Sequence, residues 1–299
     1  MSQVPRPPHP IPYQGSKRRL APEILRVAEG RSFDVLYEPF AGSAAISLAA
    51  AGRGMATTFV IGDSLVPLTD LWRRILATPE QLAFEYEEIW TAQLDEPRSH
   101  YLAVRNAFNR EGGAARLLYL LARCVKNSPR FNSRGEFNQS PDHRRRGMSP
   151  QKMRRELAGA NAVLLGKTQV RSADFVEQIK DATCNDLVYL DPPWEGTSVG
   201  HDRRYHAGLS RTRLVEALED LDARRVPYIL SYDGRHGTKE YGAPLPLTIG
   251  AKRLELHAGR SSQATLNGRE IVTIESLYVS RHLGDTVDVP DQLRLLEAA

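Results

Sequence analysis

An α/β fold, with a mainly parallel sheet interrupted once by a helical insertion, is what this 299-residue sequence predicts. Three observations carry that prediction. Short apolar runs that read as buried strands alternate with stretches whose apolar residues recur at helical spacing, the pattern of parallel strands joined by crossover helices. Two of those runs have acids at their C-terminal ends, Asp63 and Asp191. Between them, residues 79–166 lose the strand signal and read as one helix after another.

Taken in order, Leu20, Ile24, Leu25 and Ala28 give residues 17–30 a helical period. Val35-Leu36-Tyr37 is a short buried strand, Glu38 to Ser43 a turn, and residues 44–51 a small, apolar helix. Residues 57–61 form the next strand and 67–76 the next helix. Inside the insertion, 80–92, 96–109, 113–126 and 149–159 read as helices. The loop at 127–147 is long for a structureless connection, which points to function. The α/β pattern resumes at Thr168, with a strand at 186–190, a helix at 211–224 and a strand at 228–231. Residues 247–256 and 271–279 read as a final strand pair, expected to be antiparallel at the sheet edge. The expected division is 1–78 and 167–299 for the two parts of one α/β domain, with 79–166 inserted.

Composition narrows the class. Hydrophobic residues are 41% and charged residues 25%, as in soluble globular proteins. No apolar run approaches the ~20 residues that span a bilayer. The proline-rich opening, 1–10, lacks the apolar centre of a secretion signal and reads as a short disordered arm. The two cysteines, Cys124 and Cys184, are far apart and outside any C-x-x-C. That excludes a disulfide scaffold, argues against a thiolate zinc site, and fits a reducing cytoplasm. His201 and His206 do not make a metal site by themselves, so no metal is expected. Net charge is +4. The basic residues cluster: His143-Arg144-Arg145-Arg146, then Lys152, Arg154 and Arg155, and separately Arg203-Arg204. Guanidinium forks bind phosphate in a bidentate way, so such clusters suit a polyanion, although one cluster alone also suits a solvated surface.

Three motifs carry chemistry. Ligands of open α/β sheets bind where strands end and helices begin. The turn Glu38-Pro39-Phe40-Ala41-Gly42-Ser43 lies at such a place, and Gly42 lets backbone approach a ligand. Asp63, ending the next strand, can hold ribose hydroxyls or cap the following helix. Neither G-x-G-x-x-G nor a P-loop is present, so phosphate-binding glycines are not indicated. The third motif, Asp191-Pro192-Pro193-Trp194, follows a strand directly. Its prolines stiffen the loop and have no N–H of their own. The Asp191 carboxylate and the Pro192 carbonyl become fixed acceptors beside an aromatic ring, a receptor for a planar group bearing NH₂. Acceptors on the amino hydrogens favour a pyramidal nitrogen and free its lone pair, which is catalysis by placement and electrostatics.

At these residues the sequence resembles the Dam-like, α-group, DNA amino-methyltransferases, across residues 12–279. Pro12-Tyr13-Gln14-Gly15-Ser16-Lys17 resembles their N-terminal motif, which implies that Tyr13 lies near the cofactor and Lys17 reaches the active site. Glu38, Pro39, Phe40, Gly42 and Ser43 match the cofactor loop, and Asp63 the ribose-binding acid. Asp174-Phe175 is similar to the pair that contacts the cofactor's adenine. The string Arg130-Phe131-Asn132-Ser133-Arg134-Gly135-Glu136-Phe137-Asn138 resembles the segment before the recognition hairpin. This implies DNA contacts from Arg130, Asn132, Arg134 and Asn138, and from Arg144, Arg145, Arg146, Arg203 and Arg204. Arg260-Ser261-Ser262 also resembles the family. Two positions depart from it: Ala44 replaces a second loop glycine, and Trp194 replaces the tyrosine of D-P-P-Y.

The resemblance implies a Rossmann-like sheet with an inserted helical target-recognition domain, and S-adenosylmethionine as methyl donor. It implies double-stranded DNA as substrate, with a flipped-out base held by Asp191, Pro192, Pro193 and Trp194. Asp191 favours adenine N6; cytosine N4 is the alternative, followed by RNA adenine and by an inactive DNA-binding homologue. A cytoplasmic monomer is expected, with a separate cognate restriction endonuclease as a companion the family allows. The recognition sequence depends on side chains of the insertion that sequence cannot pair with bases.

Overall fold

The structure, a computed structural model, describes residues 6–193, 209–236, 239–260, 272–283 and 293–295. A short 3₁₀ turn, Lys17–Arg19, leads into α1 (Ala21–Arg26), then β1 (Phe33–Glu38), α2 (Ala45–Ala51), β2 (Ala56–Gly62) and α3 (Val66–Ala77). Four helices follow: α4 (Pro79–Thr91), α5 (Pro97–Glu111), α6 (Ala114–Arg123) and α7 (Pro150–Leu164). Next come β3 (Thr168–Arg171), α8 (Phe175–Ile179), β4 (Leu187–Leu190), α9 (Arg211–Ala223), β5 (Tyr228–His236) and β6 (Lys239–Tyr241). The last strands are β7 (Ala251–Arg260), β8 (Val272–Ser280) and β9 (Leu293–Leu295).

The strands lie in the order β3-β2-β1-β4-β5-β8-β7-β9, with β6 paired to β5. From β3 to β5 all neighbours are parallel. β8 runs antiparallel to both β5 and β7, so it enters the sheet between two strands that precede it in the chain. This is the expected parallel sheet with an antiparallel edge. Successive residues alternate faces: Leu36, Leu187 and Tyr189 join the core under α1 to α7, while Tyr37, Val188 and Leu190 join the core under α8 and α9. The helices of 79–164 share the first of these cores with α1 to α3. Within it α6 is buried from Leu117 to Arg123. Helices α3, α4, α5 and α7 each begin with proline in the first turn, where a missing N–H costs nothing.

Chain direction reverses its order across β1 and β4: β2 lies on one side, β5 on the other. The carboxyl ends of β1 and β4 therefore flank the crevice in which such sheets bind ligands. Glu38 ends β1, and Asp191 follows β4.

Several expectations shift at this level. The helix expected over 17–30 is split, because Pro22 in the first turn of α1 has no N–H to continue the preceding turn. Residues 247–249 are a 3₁₀ turn, and Gly250 at φ +66° ends it before β7 begins. The arm expected to be disordered is docked over residues 6–11. The His9 amide donates to Glu156 at 2.6 Å, Arg18 donates to the Pro7 carbonyl at 3.1 Å, and Ile11 is fully buried. Gly159 on α7 leaves room for Pro8, which would lie 3.2 Å from a β-carbon there. No helix among the described residues is long and apolar enough to cross a membrane.

Candidate active site

Lys17 and Asp191 meet at the crevice. The Lys17 ammonium lies 3.1 Å from Asp191 Oδ1 and 3.1 Å from Glu275 Oε2. Lys17 is buried, and both acids are largely covered. Burial opposes the charge on Lys17, but the two carboxylates outweigh it and raise its pKa. Burial also raises Asp191 most; Lys17 lowers it, Glu275 raises it, and the result is about 6. Glu275 comes from β8 and was not among the residues singled out from sequence. Its signal was a charge inside an apolar strand, on the same face as Leu277 and Val279, which belong to the core.

The turn after β1 is held from both sides. Gly42 adopts φ +49°, a backbone region that favours glycine, and the Tyr13 ring stands 3.4 Å from where its β-carbon would be. The Trp72 indole donates to the Gly42 carbonyl at 3.0 Å, and the Gly42 amide donates to Asp63 at 3.3 Å. Ser43 donates to Ser16 at 2.7 Å, which joins the turn to the segment carrying Lys17. Ala44 takes the left-handed backbone, φ 47°, that a glycine would take without strain. The Glu38 carboxylate, buried behind Pro39, accepts the Ser47 amide at 2.8 Å and the Ile46 amide at 3.4 Å, so it serves the first turn of α2. Burial lifts Glu38 to about 7 against those hydrogen bonds.

Asp63 stands just beyond β2, half-buried. Burial raises it to about 6 although the Leu65 and Gly42 amides donate to it. Gly62 before it admits the Gln178 side chain: an added β-carbon would sit 1.6 Å from Gln178 Oε1. Asp174 caps α8 by accepting the Val176 amide at 3.0 Å. Both its oxygens also accept from Arg213, at 2.7 and 2.8 Å. Phe175 stacks at 5.2 Å from Phe40, with the Arg213 guanidinium over its ring at 5.5 Å. The loop Gly42, the acid Asp63 and the ring pair Phe40–Phe175 thus line the ends of β1 and β2, beside Asp191. Pro192 and Pro193 follow Asp191, Pro192 being buried. Trp194, Arg203, Arg204, Ser261 and Ser262 lie outside the described residues.

This geometry places an acid after β4 beside a glycine turn after β1. The family described as D12 class N6 adenine-specific DNA methyltransferase matches residues 13–246. The chain belongs to this family. It is a Rossmann-like methyltransferase that methylates adenine N6 in DNA, which resolves the choice between adenine N6 and cytosine N4. It is 28% identical to the Type II methyltransferase M1.LlaDCHI of Lactococcus lactis subsp. cremoris, over 73% of this chain and 78% of that protein. It is 26% identical to the DNA N-6-adenine-methyltransferase of Escherichia phage P1, over 76% of this chain but 30% of that protein. With the Retron Ec67 DNA adenine methylase of Escherichia coli it shares 25% identity, over 77% and 80% of the two chains.

In this methyltransferase the string 130–138 forms a tight antiparallel turn. Phe131 bridges Phe137, and their rings meet edge to face at 5.4 Å. Asn132 is spent inside the turn: it accepts the Arg134 and Glu136 amides at 2.9 and 3.0 Å and donates to Glu136. Arg134 pairs with Glu136 at 2.7 Å. Asn109 of α5 brackets Phe137 through both backbone groups, at 2.8 and 3.0 Å. Arg130, Asn138 and Arg146 are exposed. The three consecutive arginines differ. Arg144 is 79% exposed and 3.5 Å from Asp142, whereas Arg145, 44% exposed, is tied down by Asp142 at 2.8 Å, Asn127 at 3.1 Å and the Cys124 carbonyl at 3.2 Å. Arg154 is likewise engaged, with Glu80 and Glu87 of α4.

Removing the lysine should expose the cost of two buried acids. Lys17→Met leaves Asp191 and Glu275 without their shared cation, a change expected to cost about 3–5 kcal/mol. Asp191 already titrates above its ordinary 3.8, and it rises further without Lys17. The folded variant then binds a proton that the unfolded chain does not, so stability recovers as pH falls through the raised pKa. Urea denaturation at about pH 8 and about pH 5 is expected to show the larger deficit at the higher pH. An equal deficit at both would contradict the pairing.

Proposed function

We propose that the crevice at the ends of β1, β2 and β4 holds S-adenosylmethionine, and that Asp191 receives the adenine amino group. The observation that carries the reading is the buried Lys17–Asp191 contact beside the cofactor turn. The residues present suit the donor. Gly42 turns with φ +49°, a conformation suited to glycine, against the Tyr13 ring. Asp63 accepts two amides, and a carboxylate has further lone pairs for a ribose diol. The Phe40–Phe175 pair offers an apolar wall to a purine. Asp174, engaged by Arg213, caps that wall. When bound, S-adenosylmethionine supplies the electrophilic methyl group.

The chain's own residues do the rest. A base inside a duplex cannot reach the crevice, so the target adenine leaves the stack. Lys17 engages Asp191 Oδ1, and in this reading Oδ2 accepts an N6 hydrogen. The Pro192 carbonyl is the second acceptor and Trp194 the stacking surface in this reading. Holding the amino hydrogens frees the nitrogen lone pair, and a desolvated acceptor is stronger than one in water. We assign target recognition to the insertion, 79–166. Arg130, Asn138, Arg144 and Arg146 face solvent there, while Arg145 and Asn132 brace the surface that carries them. Arg203 and Arg204 are assigned to the same phosphate grip from sequence. A separately acting endonuclease is in keeping with two relatives whose names are Type II methyltransferase and Modification methylase StsI.

The test uses full-length protein, S-adenosylmethionine and unmethylated duplex DNA, with nucleosides read by mass spectrometry. N6-methyladenine is expected, and Asp191→Asn is expected to lower turnover by about 10²–10³-fold while duplex affinity stays unchanged. Near-wild-type turnover in Asp191→Asn would remove Asp191 from the site. For the DNA face, Arg144→Ala is expected to weaken duplex binding, with the loss shrinking as salt rises because a phosphate contact is screened. An unchanged low-salt affinity would take Arg144 out of the interface.

A further inference from the structure

We propose that Glu275 is a positioning residue for methyl transfer: by sharing the Lys17 ammonium, it keeps that cation from neutralising Asp191 and so sets Asp191's strength as an acceptor. The inference rests on the reading of Asp191 as the amino-group acceptor.

The geometry supports it from three directions. Lys17 stands at the same distance, 3.1 Å, from each acid, so neither carboxylate has it alone. The cluster is one buried cation between two largely covered anions, and a net negative charge is left in a poorly solvated place. Glu275 also breaks the pattern of its strand: on that face Leu277 and Val279 are core residues. A charge there needs a partner, since an unpaired buried charge is costly. The sheet is shaped around it. β5 carries a bulge between Ser231 and Gly234, and Gly234 is the residue paired with Glu275. Within the bulge Asp233 takes φ +52°, a strained value for a non-glycine residue. Asp233 is buried and fastened by Arg253 at 2.8 Å and by the Tyr278 hydroxyl at 2.5 Å. Bulges of this kind sit beside active sites and re-aim side chains. Here the bulge places a residue without a side chain opposite Glu275.

The consequence is electrostatic. With Lys17 to itself, Asp191 would form a neutral pair, and the ammonium would compete with the substrate amine for its lone pairs. With Glu275 present, the lysine's charge is divided and Asp191 retains more of its own. The other titratable groups acting on this point are Glu38 at the end of β1 and the Tyr189 hydroxyl on β4, which bonds Ser231 at 2.9 Å. Lys17 holds ion pairs at 3.1 Å with Asp191 and with Glu275, and Glu275 is the acid that shares its charge with Asp191.

The experiment measures kcat and KM against pH for full-length wild type, Glu275→Gln, Glu275→Asp and Asp191→Asn, with S-adenosylmethionine and unmethylated duplex DNA. Removing the neighbouring negative charge makes Asp191 easier to ionise. In Glu275→Gln the acid limb of kcat is therefore expected to move down by about one pH unit. The plateau is expected to fall about tenfold, with KM for S-adenosylmethionine unchanged. Glu275→Asp, which keeps the charge, should return the limb toward wild type. An acid limb that stays in place in Glu275→Gln, whatever the plateau does, would overturn the proposal, because a merely structural glutamate could lower kcat but not hold the limb. Should Glu275→Gln fail to fold, Glu275→Met, a neutral side chain of similar length, takes its place: the same downward move of the acid limb is expected, and a limb that stays in place contradicts the proposal. Asp191→Asn separates the two readings. If it keeps turnover, Asp191 is not the acceptor; if it is inactive while the Glu275→Gln limb is unmoved, only the role of Glu275 falls.

Discussion

One ammonium between two carboxylates, in a place water barely reaches, is the constraint on which the site depends. Lys17, Asp191 and Glu275 come from the N-terminal segment, the end of β4 and the middle of β8. Taking three charges out of water is expensive, and the mutual attraction offsets it only when the groups are held in contact. The sheet therefore has to bring β8 back between β5 and β7, and the N-terminal segment has to cross the ends of the parallel strands. Both features of the fold are seen, and both converge on the same few ångströms.

The N-terminal segment connects the two halves of the task. Tyr13 packs on the turn after β1 at Gly42, Ser16 bonds Ser43, and Lys17 holds Asp191. Between them, the Gln14 amide donates to the Asn127 carbonyl at 2.9 Å. Asn127 lies at the start of the long loop between α6 and α7 and is itself gripped by Arg145. Lys126 and Asn127 both hold left-handed backbones, φ 59° and 52°, which two successive non-glycine residues adopt only when surroundings enforce it. A continuous set of hydrogen bonds thus runs from Arg145 in the loop between α6 and α7 to the segment that carries the lysine.

Much of this was legible in sequence, and the reason is local. The turn 38–43, Asp63 and Asp191-Pro192-Pro193 each follow a short apolar strand, so position along the chain already placed them at strand ends. The helices of 79–166 were legible because that stretch loses the strand signal. What escaped was long-range or depended on side-chain direction. Glu275 is distant from Asp191 in the chain and was hidden in a strand pattern. Arg144, Arg145 and Arg146 look alike as letters, yet the buried Asp142 ties Arg145 down and leaves Arg144 extended into solvent. Asn132 reads as a polar, DNA-facing residue but is consumed by its own turn. The proline arm had no periodicity to betray its docking on α7, which depends on Gly159 and Glu156. The short strands β6 and β9 carry too few residues, three each, for alternation to show.

Asp191 is where fold, charge and chemistry meet, and its titration is the most direct observation. A carbon-13 titration of the full-length protein, with Asp191→Asn to assign the resonance, would read it without reference to turnover. A midpoint near 6 is expected for a carboxyl buried against a lysine that Glu275 shares. A midpoint at the ordinary 3.8 would mean that Asp191 is solvated and unconstrained, and would contradict the site described here.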